Sequence, residues 1–264
     1  MWRLSLLAVT GAAMLLSACG SEKSGTVAEE PSSSDGTPFV VTADGEVEVS
    51  CGGAEGWAPS VMAEGVPEVL SDGDATRLFE NILTDPATGG EAGLTLFRYG
   101  VDVEWRVLRH DEETLTIGLG HWTEHGPVGD GSYVLGLQRE GGSWRVSGWG
   151  DCHLSPVLKD GFAWAEVTGY RGDPGDTTLT AEIRERECTS GRDPGPFLHE
   201  PFVVETVKSV TIYWTSEPAA GDYQTCPGNP SVEREAVELS EPLGERTVFD
   251  GFSYPPRQVP RRLG

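Results

Sequence analysis

Apolar and polar residues alternate with a period of two along much of this chain, and one helical stripe interrupts the alternation. Val47 and Val49 alternate through 46–50 and lead into Cys51, which predicts a short strand. Between Asp74 and Thr84 the period lengthens, so that Leu78, Phe79, Ile82 and Leu83 share one side of a helix. Asp74 or Ser71 can cap that helix and Pro86 ends it. Strand patterning then returns in Val101, Val103, Trp105 and Val107, in Leu115, Ile117 and Leu119, and in Tyr133, Leu135 and Leu137. Glu140-Gly141-Gly142 turns the chain into a further run from Trp144 to Trp149. Period-two runs separated by glycine-rich turns predict an antiparallel meander.

From about Ser155 the helical signal disappears. Phe162/Trp164, Leu179/Ala181/Ile183, Val204, Val210/Ile212/Trp214 and Val237/Leu239 mark short strands divided by Gly, Pro and Asp. The expected architecture is therefore an α+β domain over 38–154 followed by an all-β sandwich of immunoglobulin-like type over 155–264. One helix ahead of a meander is similar in element order to cystatin-like and NTF2-like folds.

The first 37 residues follow another logic. Arg3 precedes an apolar run from Leu4 to Leu16, which is shorter than the ~20 residues a spanning helix needs and suits the core of a signal peptide. The run closes on Leu16-Ser17-Ala18-Cys19, which resembles the lipobox of bacterial lipoproteins. The resemblance implies that residues 1–18 are removed and that Cys19 carries diacylglyceryl and palmitate-type acyl chains. It places the protein on the outer face of the cytoplasmic membrane, its one implied partner. Two acyl chains suffice for stable anchoring where one does not. Residues 19–37 are rich in Ser, Gly, Glu and Pro and read as a disordered tether.

That address changes how the cysteines read. Cys51, Cys152, Cys188 and Cys226 lie in an oxidising compartment, form no C-x-x-C pair, and read as two disulfides with three possible connectivities. Pairing within each half, Cys51 with Cys152 and Cys188 with Cys226, is the simplest closure. Net charge is −23, which argues against nucleic acid and anionic lipid headgroups as partners. Arg outnumbers Lys 16 to 3 and Asn occurs twice, a bias similar to that of GC-rich actinobacterial proteins. The segment from Glu241 to Gly251 likewise resembles C-terminal segments of uncharacterised secreted actinobacterial proteins, which imply no activity.

Candidate chemistry is sparse. His121-Trp122-Thr123-Glu124-His125 spells H-x-x-E-H, but zinc chemistry needs that motif on a helix. In a strand the two histidines stand ~13 Å apart, too far to share an ion, so no metal site is expected. Asp72-Gly73-Asp74 departs from an EF-hand at Arg77 and Leu83, Arg171-Gly172-Asp173 sits in strong turn chemistry, and Pro230 excludes Asn229 as a glycosylation acceptor. Neither G-x-S-x-G nor a phosphate-cradling glycine motif is present, so no catalytic residue and no cofactor is nominated. Trp122 and His121 are the candidate ligand contacts, because Trp122 falls on the opposite strand face from Ile117 and Leu119. The expectation is non-catalytic binding of a ligand or partner. The alternatives are a small-molecule enzyme using an NTF2-like pocket and a structural envelope component.

Overall fold

In the computed structural model strands and bridges make up 46% of the described residues and helices 9%, so these residues are mostly β. The structure describes residues 36–52, 55–63, 73–85, 87, 89–90, 105–123, 125–128, 133–221 and 228–262. The signal segment, Cys19, most of the tether, the strand expected at 101–104, and Cys226 lie outside the described residues. So do Ser71 and Asp72 ahead of the helix.

In chain order, β1 (Val49–Ser50), α1 (Ser60–Ala63) and α2 (Gly73–Thr84) come first. They are followed by β2 (Trp105–His110), β3 (Thr114–Leu119), β4 (Trp122–Thr123), β5 (Gly126–Pro127), β6 (Tyr133–Glu140) and β7 (Ser143–Asp151). After these come β8 (Ser155–Pro156), β9 (Ala163–Arg171), β10 (Thr178–Glu185), β11 (Phe202–Glu205) and β12 (Ser209–Ser216). The last are β13 (Ser231–Glu238), β14 (Thr247–Asp250) and β15 (Arg257–Gln258).

β2, β3, β6 and β7 form an antiparallel four-stranded sheet in that order. Alternation sends Leu115, Ile117, Leu119, Leu135 and Leu137 to one face, where Phe79, Ile82 and Leu83 of α2 cover them. A register shift between Val107 and Arg109 makes Leu108 the extra residue of a bulge. Val107 therefore packs with the α2 cluster, while Leu108 joins Val49, Trp57, Met62, Trp122 and Leu154 in a separate one. The segment 49–62 thus closes part of the face that α2 leaves open. The disulfide Cys51–Cys152, with Cα atoms 4.8 Å apart, fastens that segment just beyond the end of β7. This is the pairing expected from the sequence.

The second sheet runs β13-β10-β9-β12-β14-β15, with β11 on the other side of β12. β12 changes partners along its length. Ser209–Ile212 pair in parallel with β14, and Trp214–Ser216 pair antiparallel with β9. Its core holds Val167, Leu179, Ile183, Val210, Ile212, Trp214, Val237 and Val248. β1 pairs with β8, and the ring of Phe39 lies 4.9 Å from that of Tyr213 and 5.7 Å from that of Phe202.

These elements correct the expected fold class. No N-terminal α+β domain of cystatin-like or NTF2-like outline is evident: α2 is one 12-residue cover in a mostly β chain whose sheets include a curled half-barrel. Nor does the second half form two facing sheets of an immunoglobulin-like sandwich. It forms one seven-stranded sheet that includes a parallel pair. Period-two alternation locates strands but does not say which strand lies beside which.

Candidate functional site

The sheet face opposite α2 carries Thr116, Val134, Gly136, Gly148 and Gly150, with Gly136 directly across from Thr116 on β3 and from Gly148 on β7. A Cβ added at Gly148 or Gly150 would meet nothing within 4 Å. The glycines therefore leave a gap between the sheet and the segment 51–57. That gap is a cleft of about 410 Å³, lined also by Cys51, Gly52, Glu55, Trp57, Trp149 and Asp151. Its size falls within the range of small-molecule sites. The disulfide stands at its edge and holds the 51–57 wall against the sheet.

The walls differ in chemistry. Trp57 is 5% exposed, and its indole N–H is buried with no acceptor among the described residues. An unmatched buried donor costs about 1–3 kcal/mol, and this is one of three unmatched buried side-chain atoms among the described residues. Trp149 is exposed. Glu55 and Asp151 are exposed carboxylates, and Glu55 has an oxygen 3.8 Å from Nε of Arg109. Arg109 also donates from a terminal guanidinium nitrogen to the carbonyl of Gly56 at 3.0 Å, so one side chain positions both residues ahead of Trp57.

A second cleft of about 430 Å³ lies among Thr37, Lys159, Phe162, His199, Phe202 and Tyr213. Its polar groups mostly serve one another. Lys159 Nζ donates to the carbonyl of Thr37 at 2.8 Å, and His199 Nδ1 lies 3.0 Å from Thr215 Oγ1. A third feature is a charge cluster on the second sheet. The buried carboxylate of Glu166 accepts from Nε of Arg184 at 2.9 Å and from Arg186 at 3.1 Å. Asp250, fully buried beside it, accepts the backbone N–H groups of Val167 and Phe252 at 3.2 and 3.3 Å. Burial pushes the Asp250 carboxyl up to about 6 against those two hydrogen bonds and Arg257, with the charge of Glu166 adding to the rise.

Trp122 and His121 do not line the 410 Å³ cleft. Trp122 is buried, donates its N–H to the carbonyl of Leu119 at 3.0 Å, and packs on Gly118, where an added Cβ would lie 2.8 Å from the ring. His121 is exposed. Within and beside the H-x-x-E-H stretch, Trp122–Thr123 pair antiparallel with Gly126–Pro127, Glu124 lies outside the described residues, and no group of three or more His, Cys, Asp or Glu that could hold a metal occurs among the described residues. Arg171 pairs with Glu233 and Asp173 with Arg261, so the R-G-D tripeptide is tied into its own turn and sheet. The pairing expected for Cys188 involves Cys226, outside the described residues.

Sequence reasoning passed over Glu55, Trp57, Trp149 and the glycine floor as a site. One signal was there: Gly148 and Gly150 place glycine at two successive positions on one face of a strand, opposite Gly136. That is where a two-residue period would put side chains. No protein-family model, no curated protein and no solved structure matches the chain.

Proposed function

We propose that this protein is an extracytoplasmic lipoprotein, anchored through Cys19 to the outer face of the cytoplasmic membrane, that binds a small ligand without transforming it. The observation carrying the binding role is the cleft beside the Cys51–Cys152 disulfide, with a buried, unmatched indole N–H of Trp57 and an exposed Trp149 in its lining. A buried donor without a partner calls for an explanation, and a ligand in the adjoining cleft would supply one. The disulfide fits an extracytoplasmic protein. The lipobox-like Leu16-Ser17-Ala18-Cys19 supports the anchor.

Non-catalytic binding is favoured by the lining itself. Its cysteine sulfur is committed to the disulfide, and its two carboxylates, Glu55 and Asp151, are exposed to water. A carboxyl acting as general acid or base near neutral pH needs the opposite setting, buried and shifted. The anchor and the binding role are tested separately. Trp57→Phe keeps the ring and removes the indole N–H, so small molecules from an envelope extract should raise the melting temperature of the wild type more than that of this variant; equal shifts would refute the cleft as the site. Intact mass of the membrane-extracted protein should show a diacylglyceryl-bearing N-terminus at Cys19, and Cys19→Ser should move the protein to soluble fractions. An unlipidated mature N-terminus elsewhere would refute the anchor.

A further inference from the structure

We propose a second binding site, separate from the cleft, on the outer side of the second sheet, where Arg184, Arg186 and Arg257 form a rim that takes a phosphate group, free or as a monoester. Glu166 and Arg184 are register partners on β9 and β10, so both leave the sheet on the side away from Val167 and Ile183 in the core. Arg186, two residues on, shares that side, and Arg257 reaches it from β15. The three guanidiniums meet at the Glu166 carboxylate, which is 4% exposed, while their own side chains stay 44%, 43% and 60% exposed. Arg184 gives that carboxylate two N–H groups, from Nε at 2.9 Å and from Nη2, and Arg186 gives one at 3.1 Å. Arg257 gives none, its nearest nitrogen standing 3.8 Å from Glu166 and 3.7 Å from Asp250. A guanidinium carries five N–H donors, so most of the donors on this rim are unspent.

Arg184, with its two bonds to Glu166, is enough to pair one buried carboxylate. Even counting Asp250, which Arg257 also approaches, three positive charges face two negative ones. Glu182, on the same side of β10, is offset by Arg262 at 3.2 Å. This local excess of positive charge stands out in a chain with 19 basic and 42 acidic residues, and salt screens the more remote carboxylates beyond about 8 Å. The donors are also held in place. Glu166 fixes Arg184, and Arg186 is clamped between Glu166 and the ring of Phe252, its Cζ 4.7 Å from the centroid, so an arriving anion orders little that is not already ordered. Shape selects the anion. A carboxylate presents two oxygens in one plane, which a single guanidinium fork satisfies. A tetrahedral phosphate spreads its oxygens and can meet forks that come, as these do, from different strands.

Isothermal titration calorimetry of the full-length, detergent-extracted protein at constant ionic strength tests this with inorganic phosphate, glycerol phosphate and succinate. Inorganic phosphate should bind saturably, and more tightly than succinate. Glycerol phosphate binding as well assigns a monoester, and inorganic phosphate binding alone assigns the free ion. Arg257→Gln removes a guanidinium that makes no hydrogen bond among the described residues, and should weaken phosphate binding about tenfold, the equivalent of one charge-assisted hydrogen bond. Asp250→Asn removes the negative charge beside Arg257 and should tighten binding, a gain that misfolding cannot produce. Arg145→Gln takes the same charge from an exposed arginine of the first sheet, and should leave phosphate binding unchanged, as should Trp57→Phe in the cleft. Succinate binding as tightly as phosphate would overturn the choice of anion. The site itself would be overturned by the absence of saturable phosphate binding, by binding that Arg257→Gln and Asp250→Asn both leave untouched, or by an equal loss in Arg145→Gln. None of these outcomes decides whether the cleft binds its own ligand.

Discussion

Oδ1 of Asp250 accepts the backbone N–H of Val167 at 3.2 Å, across 83 positions of sequence, at the point where β12 exchanges one neighbour for another. β14 ends at Asp250, and β9 pairs with β12 through Ala165, so the N–H of Val167 faces the seam between them. The carboxylate fills the place of a ladder bond there. Its other oxygen, Oδ2, is buried without a hydrogen-bond partner, with Arg257 3.7 Å away.

Folding raises the Asp250 carboxyl from its ordinary 3.8 to about 6, through burial first and the neighbouring Glu166 charge last. The folded protein therefore holds the proton more tightly than the unfolded chain. This contribution to stability is fully present below pH 4 and is lost as pH rises through about 6. Asp250→Asn does not titrate and can keep the bond from Val167. Relative to wild type, the variant should gain up to about 3 kcal/mol between pH 4 and pH 7. Urea unfolding of both proteins at intervals across that range measures the gap, and a gap independent of pH would contradict the assignment.

The opposite sign applies at Asp111, in the turn between β2 and β3. Its Oδ1 accepts the N–H groups of Glu113 and Thr114 at 2.9 and 2.7 Å, and its Oδ2 accepts the Thr114 hydroxyl at 2.7 Å. The Thr114 hydroxyl and then the Glu113 amide hold this exposed carboxyl down to about 2. Its contribution is present above pH 4 and lost as pH falls through about 2. Asp111→Ala should lower stability by about 1 kcal/mol at pH 7, the usual effect of losing a side-chain cap, and by less at pH 2. Chemical denaturation at the two pH values checks both statements.

Much of the local structure is legible in the sequence, and the pairing is not. The stripe of Leu78, Phe79, Ile82 and Leu83 becomes α2, and the runs at Leu115, Tyr133 and Trp144 become β3, β6 and β7. Each signal is local, a side-chain period set by the backbone. The parallel pairing of β12 with β14 depends on segments nearly forty residues apart, and no periodicity encodes it. The candidate site was obscured for a related reason. Trp122 is an apolar residue on the expected polar face, but the segment 49–62 covers that face and makes Trp122 core. The cleft is built from glycines, which carry no side-chain signal.

Gly251 shows how closely backbone and ring approach beside the Asp250 seam. A Cβ there would lie 2.3 Å from Cδ1 of Tyr213, whose hydroxyl is raised above its usual pKa by burial and then by the charge of Asp250. Ring carbons are not the far end of a flexible chain, so the clash has no inexpensive relief. Gly251→Ala should lower stability by about 1–3 kcal/mol, as overpacking does. Gly175→Ala, where an added Cβ meets nothing within 4 Å, is the control and should change stability little. Thermal unfolding of the two variants side by side measures the contrast.

The Cys51–Cys152 disulfide closes a loop with a sequence separation of 101 and forms one edge of the cleft, so it stabilises in two separable ways. The chain-entropy treatment assigns about 4.7 kcal/mol to a loop near 100 residues. Replacing both cysteines by alanine should lower global stability by up to that amount, measured by urea unfolding under non-reducing conditions. Local loss should be larger in effect than global loss. With the bond gone, the wall carrying Glu55 and Trp57 is held to the sheet mainly by the pairing of β1 with β8, the Val49–Trp57 bridge and the hold of Arg109 on Gly56. Amide exchange at Val49 and Trp57 should therefore accelerate in the double variant under conditions where Ile183 and Ile212, in the second sheet, keep their protection. Uniform acceleration across both sheets would mean that the bond acts only through the unfolded chain and does not hold the cleft wall.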